Sequence, residues 1–302
     1  MKRKVIQLAG KTFVVSLPIA WAKKYGVKKG EEVEVEENGA KLIINTSKEI
    51  EVEKKHINIS GMTEMLGRVV GALYKAGYDE IELEFSTSQE FSTIQKVLNR
   101  TCIGFEIVRQ GEKTITTREI SKLDSEQFEI VLRRLFLFLL TSADDSLNAV
   151  AKLDDELLKN IVLRDDNLNR FADFCRRVLN KTGHPKFQRT APVYFIVEQL
   201  EKIGDSYKDL ANFLIENKVK AGNETLKLYQ RVNSLLRDFY ELFYSFDLLK
   251  FDEFGKKRKV LVADIAKQMK KVKKEELIIL SYLNTVVNQI FDMNGPLLTA
   301  FL

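Results

Sequence analysis

The sequence predicts a multidomain α+β protein, and three observations support this fold class. Strand patterns in two pairs flank one short helix pattern in residues 1–47. Strands and helices then alternate through residues 48–120, and strand patterns disappear from residues 121–302. With 302 residues, 45% of them apolar, the chain is long enough for two or three domains with sizeable cores. We therefore predict three domains with these boundaries.

The first predicted domain is a hairpin, a short helix and a second hairpin. Two strand patterns flank a turn at Gly10-Lys11, and the short helix begins at Pro18. Alternating acidic and apolar residues then lead to Asn38-Gly39, which is a strong signal for a tight hairpin turn. A unit this small buries too little apolar surface to be stable alone. We expect it to complete its core by pairing with a second copy.

Charge is segregated along this first domain. Its first thirty residues contain basic side chains and no acid, whereas acids dominate the second hairpin. The basic residues are Lys2, Arg3, Lys4, Lys11, Lys23, Lys24, Lys28 and Lys29. A basic end on a two-fold dimer suits the phosphates of duplex DNA. A lysine-rich surface exposed to solvent explains the same charges without any partner.

The stretch GKTFVVSLPIAWAKKYGVKKGEEVEVEENGAKLII resembles the swapped-hairpin AbrB/SpoVT family of DNA-binding domains. The resemblance implies a swapped-hairpin β-barrel that binds double-stranded DNA as an intertwined homodimer. The residues it places against DNA are Arg3, Lys4, Lys11, Lys23 and Lys24. The family commonly carries arginines there. Because lysine lacks the bidentate fork that reads guanine, we expect phosphate contacts and strong salt dependence.

The second predicted domain, residues 48–120, is a small α/β layer of order β-α-β-α-β-β. No glycine-rich phosphate loop follows any of its predicted strands. We expect this layer to be a spacer that supports the dimer, and a ligand-sensing role is the alternative.

The third predicted domain, residues 121–302, is all-helical and forms two three-helix bundles. Leucine and phenylalanine at helical spacing supply the core. Helix breaks are predicted at Gly183, Gly222 and Gly255. The six predicted helices span residues 125–158, 160–181, 189–217, 223–248, 251–272 and 275–300.

One predicted helix, EQLEKIGDSYKDLANFL, carries a stripe of acids. Glu201, Asp205 and Asp209 follow one another at four-residue intervals, so they share one helical face. Like charges at this spacing repel each other. Either solvent and nearby lysines such as Lys202 and Lys208 screen them, or a cation binds there.

Two segments resemble motifs of PhoU-type phosphate-uptake regulators. They are LEKIGDSYKDLAN in this helix and LRDDNLNRF in the preceding one. With its first domain included, the chain is similar to archaeal-type phosphate uptake regulators. The family's paired acidic motifs hold iron or other divalent or trivalent metal ions, and carboxylate oxygens suit such hard cations. Carried over residue by residue, the metal site comprises Asp165, Asn169, Glu201 and Asp205. Iron, zinc or magnesium is the expected ion. The second bundle has Asn284 and Asn288 at the corresponding acidic positions, so at most one site is intact.

These observations predict a cytoplasmic, DNA-binding transcriptional regulator of phosphate uptake that is not an enzyme. The two histidines, His56 and His184, and the two cysteines, Cys102 and Cys175, form no recognisable catalytic set. No signal peptide and no apolar run long enough for an integral membrane segment is found.

The alternative prediction is a PhoU-type interaction regulator. It docks on a phosphate transporter ATPase or a sensor protein, and its first domain serves only as a dimerisation module. Basic residues gathered at 256–259 and 267–274 suit DNA, a membrane surface or such an acidic partner, and a solvated basic helix explains them equally well.

Overall fold

The computed structural model describes residues 2–38, 41–46, 52–120 and 125–302. The chain forms two compact units, Met1–Glu53 and Lys54–Leu302. The second unit contains both the α/β segment and the helical segment. The division into domains at 1–47, 48–120 and 121–302 stays a prediction.

The first unit has the predicted order of hairpin, helix and hairpin. Its elements are β1 (Val5–Leu8), β2 (Thr12–Val15), α1 (Ile19–Lys24), β3 (Glu34–Asn38) and β4 (Lys41–Asn45). Strand β1 pairs antiparallel with β2, and β3 pairs antiparallel with β4. In the second hairpin Asn38 lies opposite Lys41, while Gly39 of the predicted turn lies outside the described residues.

The first turn lies one residue earlier than the sequence predicts. The backbone N–H of Lys11 donates to the carbonyl of Leu8 at 3.2 Å, so the central residues are Ala9 and Gly10. Both have positive φ angles, 47° and 71°. A two-residue hairpin loop with this geometry matches the twist of its strands, and glycine at the second position adopts it without strain.

The second unit begins with the predicted β-α-β-α-β-β layer. Its elements are β5 (Lys54–Asn58), α2 (Leu66–Lys75), β6 (Glu80–Glu84), α3 (Ser88–Thr101), β7 (Phe105–Gln110) and β8 (Thr114–Glu119). The strand order is β5-β6-β8-β7, with β5 parallel to β6 and the other pairs antiparallel. A capping box formed by Thr87 and Glu90 starts α3.

The helical segment forms the two predicted three-helix bundles. Its helices are α4 (Ser125–Lys152), α5 (Asp155–Lys181), α6 (Thr190–Asn217), α7 (Asn223–Tyr244), α8 (Leu248–Met269), α9 (Lys274–Asp292) and α10 (Asn294–Phe301). Helices α4, α5 and α6 pack together, as do α7, α8 and α9. Contacts of α4 with α7 and of α6 with α9 join the bundles into one continuous core.

The predicted helix break at Gly255 is wrong, because Gly255 lies inside α8. Glycine in a helix costs about 1 kcal/mol relative to alanine, and the buried side chains of Phe254 and Leu261 outweigh that cost. Helix α8 instead begins after Asp247, whose side chain accepts a hydrogen bond from the backbone of Lys250 at 2.8 Å.

The last predicted helix, 275–300, is also wrong as one helix, because α9 ends at Asp292 and α10 follows it. Pro296 has no N–H, so a single helical hydrogen-bond ladder cannot continue unbroken through this position.

A buried arginine joins the α/β layer to the helices. Arg177 of α5 donates from Nη1 to the carbonyl of Tyr74 at 2.7 Å and from Nη2 to Glu119 Oε2 at 2.9 Å. Its guanidinium also lies 5.1 Å from the ring centroid of Tyr74 and 4.7 Å from that of Phe105. Lys181, one turn further along α5, donates to the same Glu119 oxygen at 2.8 Å. Helices α2 and α3 both contact α5, so this joint fixes the layer against the first bundle.

Candidate functional site

The basic residues predicted to contact DNA lie on the first unit. Arg3 and Lys4 precede β1, Lys11 follows the β1–β2 turn, and Lys23 lies in α1. All four are exposed, and none has a carboxylate partner among the described residues. Lys24 is the last residue of α1, and its side chain lies outside the described part of the chain. The predicted basic surface is therefore available to an anionic partner.

The β1–β2 hairpin exposes apolar side chains on both faces. Val5 and Ile6 are neighbours on one strand, so they point to opposite faces of the hairpin. Val5 is 66% exposed and Phe13 on the partner strand is 69% exposed. Ile6, Leu8 and Val15 are also exposed, and no described residue of the first unit is buried. Exposed apolar side chains on both faces of a hairpin are typical of a surface that packs against another protein chain.

Helices α5 and α6 pack side by side, and two acids of the stripe, Glu201 and Asp205, lie near this contact, whereas Asp209 is exposed. Asp165 and Asn169 are one turn apart on α5, and Glu201 and Asp205 are one turn apart on α6. The buried apolar side chains of α6 contact the core, and Gly204 on the same helix approaches α5 closely. A Cβ added at Gly204 would lie 2.8 Å from Leu168 Cδ1 and 3.9 Å from Asp165 Oδ1. The helix contact thus brings the acids of both helices near each other.

Lys208 forms ion pairs with one acid on each helix, Asp165 of α5 and Asp205 of α6. Lys208 Nζ donates to Asp165 Oδ2 at 2.8 Å, and it also donates to Asp205. Asn169 Nδ2 donates to the same Asp165 oxygen at 3.0 Å. Burial raises the pKa of Asp165 above its usual value, although the Lys208 ammonium opposes this. Burial also disfavours the charge of Lys208, but its hydrogen bonds to both carboxylates outweigh that effect and raise its pKa.

Arg176 forms an ion pair with Glu201, the first acid of the stripe. Arg176 of α5 is only 2% exposed, and its guanidinium is paired with Glu201 and, at 2.5 Å, with Glu198, both on α6. It also donates to Asp173 on its own helix at 2.7 Å. Lys75 Nζ of α2 lies 3.2 Å from Asp173, which links this cluster to the α/β layer. Burial raises the pKa of Glu201, and the hydrogen bond from Arg176 works against that rise.

The four predicted metal ligands therefore fall into two sets. Asp165, Asn169 and Asp205 gather around Lys208, whereas Glu201 is engaged by Arg176. No group of three or more histidine, cysteine or acidic side chains arranged to hold a metal occurs in the described part of the chain. The residues as arranged do not fit one shared metal ion, and the metal site stays a prediction.

Sequence reasoning missed Arg176 and its partner Asp173. The signal that could have identified them is the segment FCRRVL, in which two arginines lie within an apolar stretch. Phe174, Cys175 and Val178 around them are buried. Basic side chains at such positions require hydrogen-bonded or charged partners, because an unpaired buried charge is costly.

Comparison with known proteins identifies two regions of the chain. Residues 6–53 match the model for MazE, described as antidote-toxin recognition and a bacterial antitoxin, and residues 132–214 match the PhoU domain. The chain thus contains one region similar to the MazE family and one region similar to the PhoU domain. Both families are regulatory and non-enzymatic. These matches confirm the two resemblances that the sequence motifs predict.

A comparison with solved structures also gives a match. The crystal structure of the phosphate transport system regulatory protein PhoU from Streptococcus pneumoniae matches with 18% sequence identity and a TM-score of 0.47. The match covers 57% of this chain and 92% of that one. No curated protein matches the chain.

The matched regions contain most of the predicted site residues. Lys11 and Lys23 lie in the MazE/AbrB-like region, whereas Arg3 and Lys4 lie just before it. The acidic stripe, with Arg176 and Lys208, lies inside the PhoU domain. Within the described ranges, no helix is both long enough and apolar enough to cross a membrane.

Proposed function

We propose that this chain is a homodimeric, DNA-binding transcriptional regulator of phosphate uptake. The MazE/AbrB-like region grips duplex DNA, and the PhoU domain responds to phosphate-linked partners. The observation that carries the proposal is the set of exposed basic side chains without carboxylate partners on the unit that matches a MazE/AbrB-like domain.

Dimerisation is supported by the uncovered hairpin. Full burial of one valine, isoleucine or phenylalanine side chain stabilises a structure by about 1.5–3 kcal/mol. Val5, Ile6, Leu8, Phe13 and Val15 all offer such a gain, and both faces of β1–β2 need a covering layer. A second copy of the same hairpin supplies that layer with matching chemistry, as the swapped-hairpin resemblance implies.

DNA binding is supported by the placement of the lysines. Lys4 and Lys11 flank the two ends of β1, which places them about 14 Å apart at ~3.4 Å per residue. A two-fold dimer doubles this set into two separated basic patches. Lysine contacts phosphates as a point charge, so binding depends on the charge of the duplex more than on its base sequence.

The test is the salt dependence of duplex binding, measured by fluorescence anisotropy with random-sequence DNA. The triple variant Lys11→Glu, Lys23→Glu, Lys24→Glu is expected to lose binding, because it replaces phosphate contacts with repulsion. Each phosphate contact contributes about 0.9 to the slope of log affinity against log salt concentration. The matched control reverses three exposed lysines of the helical segment, Lys159, Lys227 and Lys250, and has the same net charge. Equal DNA affinity of the triple variant and the wild type would refute the proposal.

A second candidate function is docking on a phosphate transporter ATPase, with the first unit as a dimerisation module only. An exposed aromatic groove favours it: Phe187, Tyr194 and Phe195 line a 650 Å³ groove at the start of α6. Aromatic side chains are enriched at protein interfaces. The same triple variant separates the two functions, because capture of the purified ATPase would be unchanged while duplex binding is lost.

A further inference from the structure

We propose that Lys208 and Arg176 act as internal cations, which hold the acids at the contact between α5 and α6 in place of a bound metal ion. These cations act at the contact between α5 and α6 in the second unit, so their role does not depend on DNA binding by the first unit.

Lys208 occupies the position of a bridging cation. Its ammonium contacts Asp165 on α5 and Asp205 on α6, so one positive charge joins carboxylates from two helices. A divalent ion that bridged the same carboxylates would face the ammonium at close range. Like charges at such separations repel strongly in a partly buried site, so Lys208 and a metal ion exclude each other there.

Arg176, which is more deeply buried, also joins carboxylates of the two helices. Its planar guanidinium presents several N–H donors, and it satisfies carboxylates on both α5 and α6. Glu201 is thereby committed to a protein cation and is not left for a metal. The two basic side chains together engage every carboxylate among the four predicted ligands.

In the second bundle an arginine contacts a neutral amide in place of a carboxylate. Arg258 Nη2 of α8 donates to Asn288 Oδ1 of α9 at 3.0 Å, and its guanidinium lies 4.2 Å from the ring centroid of Phe291. Asn288 is a position where the family resemblance places an acid. In both bundles a basic side chain therefore contacts a position where the family resemblance places an acid.

The proposal makes a gain-of-function prediction. Asp165 is only 6% exposed, and its Oδ1 and the Oδ1 of Asn169 are buried with no hydrogen-bond partner among the described residues. Removing the Lys208 side chain would free Asp165 Oδ2 and Asp205 as well. The result is a set of oxygen donors from two helices, which is the donor type that Mg²⁺ and Mn²⁺ prefer.

The experiment measures Mn²⁺ binding to the full chain by titration calorimetry and by thermal unfolding. Wild-type protein is expected to show no saturable site, whereas Lys208→Ala gains one Mn²⁺ per chain and a melting temperature that rises with Mn²⁺. Lys202→Ala is the matched control, since Lys202 is an exposed lysine on the same helix with no carboxylate partner among the described residues. Adding Asp165→Asn to Lys208→Ala is expected to abolish the new site.

Two results would overturn the proposal. One is a saturable Mn²⁺ site in wild-type protein that Asp165→Asn removes. The other is a folded Lys208→Ala variant that binds no more Mn²⁺ than wild type. Should Lys208→Ala fail to fold, Mn²⁺ is titrated into the wild type and into Lys208→Arg, which keeps the positive charge. No site in either protein supports the proposal, and a site in either one that Asp165→Asn removes refutes it.

Discussion

Replacing Arg177 with methionine should destabilise the second unit far more than removing a surface arginine. The substitution Arg177→Met keeps an unbranched apolar stem but removes the charge and both hydrogen bonds. It leaves Glu119, whose side chain is 9% exposed, with Lys181 as a remaining partner. Each hydrogen bond to a charged group is worth about 1.5–3 kcal/mol, and breaking a buried ion pair costs about 3–5 kcal/mol. We expect a loss of about 3–5 kcal/mol.

Urea denaturation followed by circular dichroism measures this loss. At a slope of about 2–3 kcal/mol per molar urea, the midpoint should fall by roughly 1–2.5 M. The control is Arg231→Met, because Arg231 pairs with Asp264 at 2.7 Å but both side chains are over 40% exposed. Exposed pairs contribute about 0–1 kcal/mol. A midpoint for Arg177→Met equal to that of the control would refute the idea that this arginine secures the α/β layer.

Two further predictions concern stability. Hydrogen bonds, of which the one from the backbone N–H of Ser86 is the strongest, lower the pKa of Glu90 from 4.5 to about 2. The ionised carboxylate therefore contributes fully to stability above pH 4.5, and this contribution is lost as the pH falls toward 2. Glu90→Gln should flatten the fall in melting temperature over this range, and a melting-temperature profile equal to that of the wild type would contradict this. Gly255→Ala should stabilise by about 0.5–1 kcal/mol because its added Cβ meets nothing within 4 Å, whereas Gly204→Ala, which crowds Leu168, should be less stable than Gly255→Ala in chemical denaturation. The reverse order would refute the close approach of α6 to α5.

Local patterns were sufficient to predict most of the fold. Alternation marks both hairpins of the first unit, and the change from period two to helical spacing marks where the α/β layer ends. Boundaries were less accurate, because they depend on contacts between distant segments. Gly255 looks like a break within its own stretch of sequence, but Phe254 and Leu261 hold α8 together by packing on other helices.

The candidate site was predictable only in part. The acidic stripe and the basic first thirty residues follow from spacing and composition alone. The partners of the stripe are harder to find from the sequence. Lys208 is three residues from Asp205, whereas Arg176 is twenty-five residues from Glu201 and reaches it only because α5 and α6 pack together. A pattern within one helix does not contain that contact.

Burial, more than spacing, decides which acids near the contact of α5 with α6 need a cation. Like charges four residues apart on an exposed helix cost only about 0.2–0.5 kcal/mol per pair, which solvent readily offsets. Asp209 has the same spacing and is exposed, so screening by water is enough for it. The Glu201 side chain is only 25% exposed and Asp165 is buried, and a carboxylate in such a place requires a positive partner. Arg176 and Lys208 meet that requirement at the two positions where burial creates it.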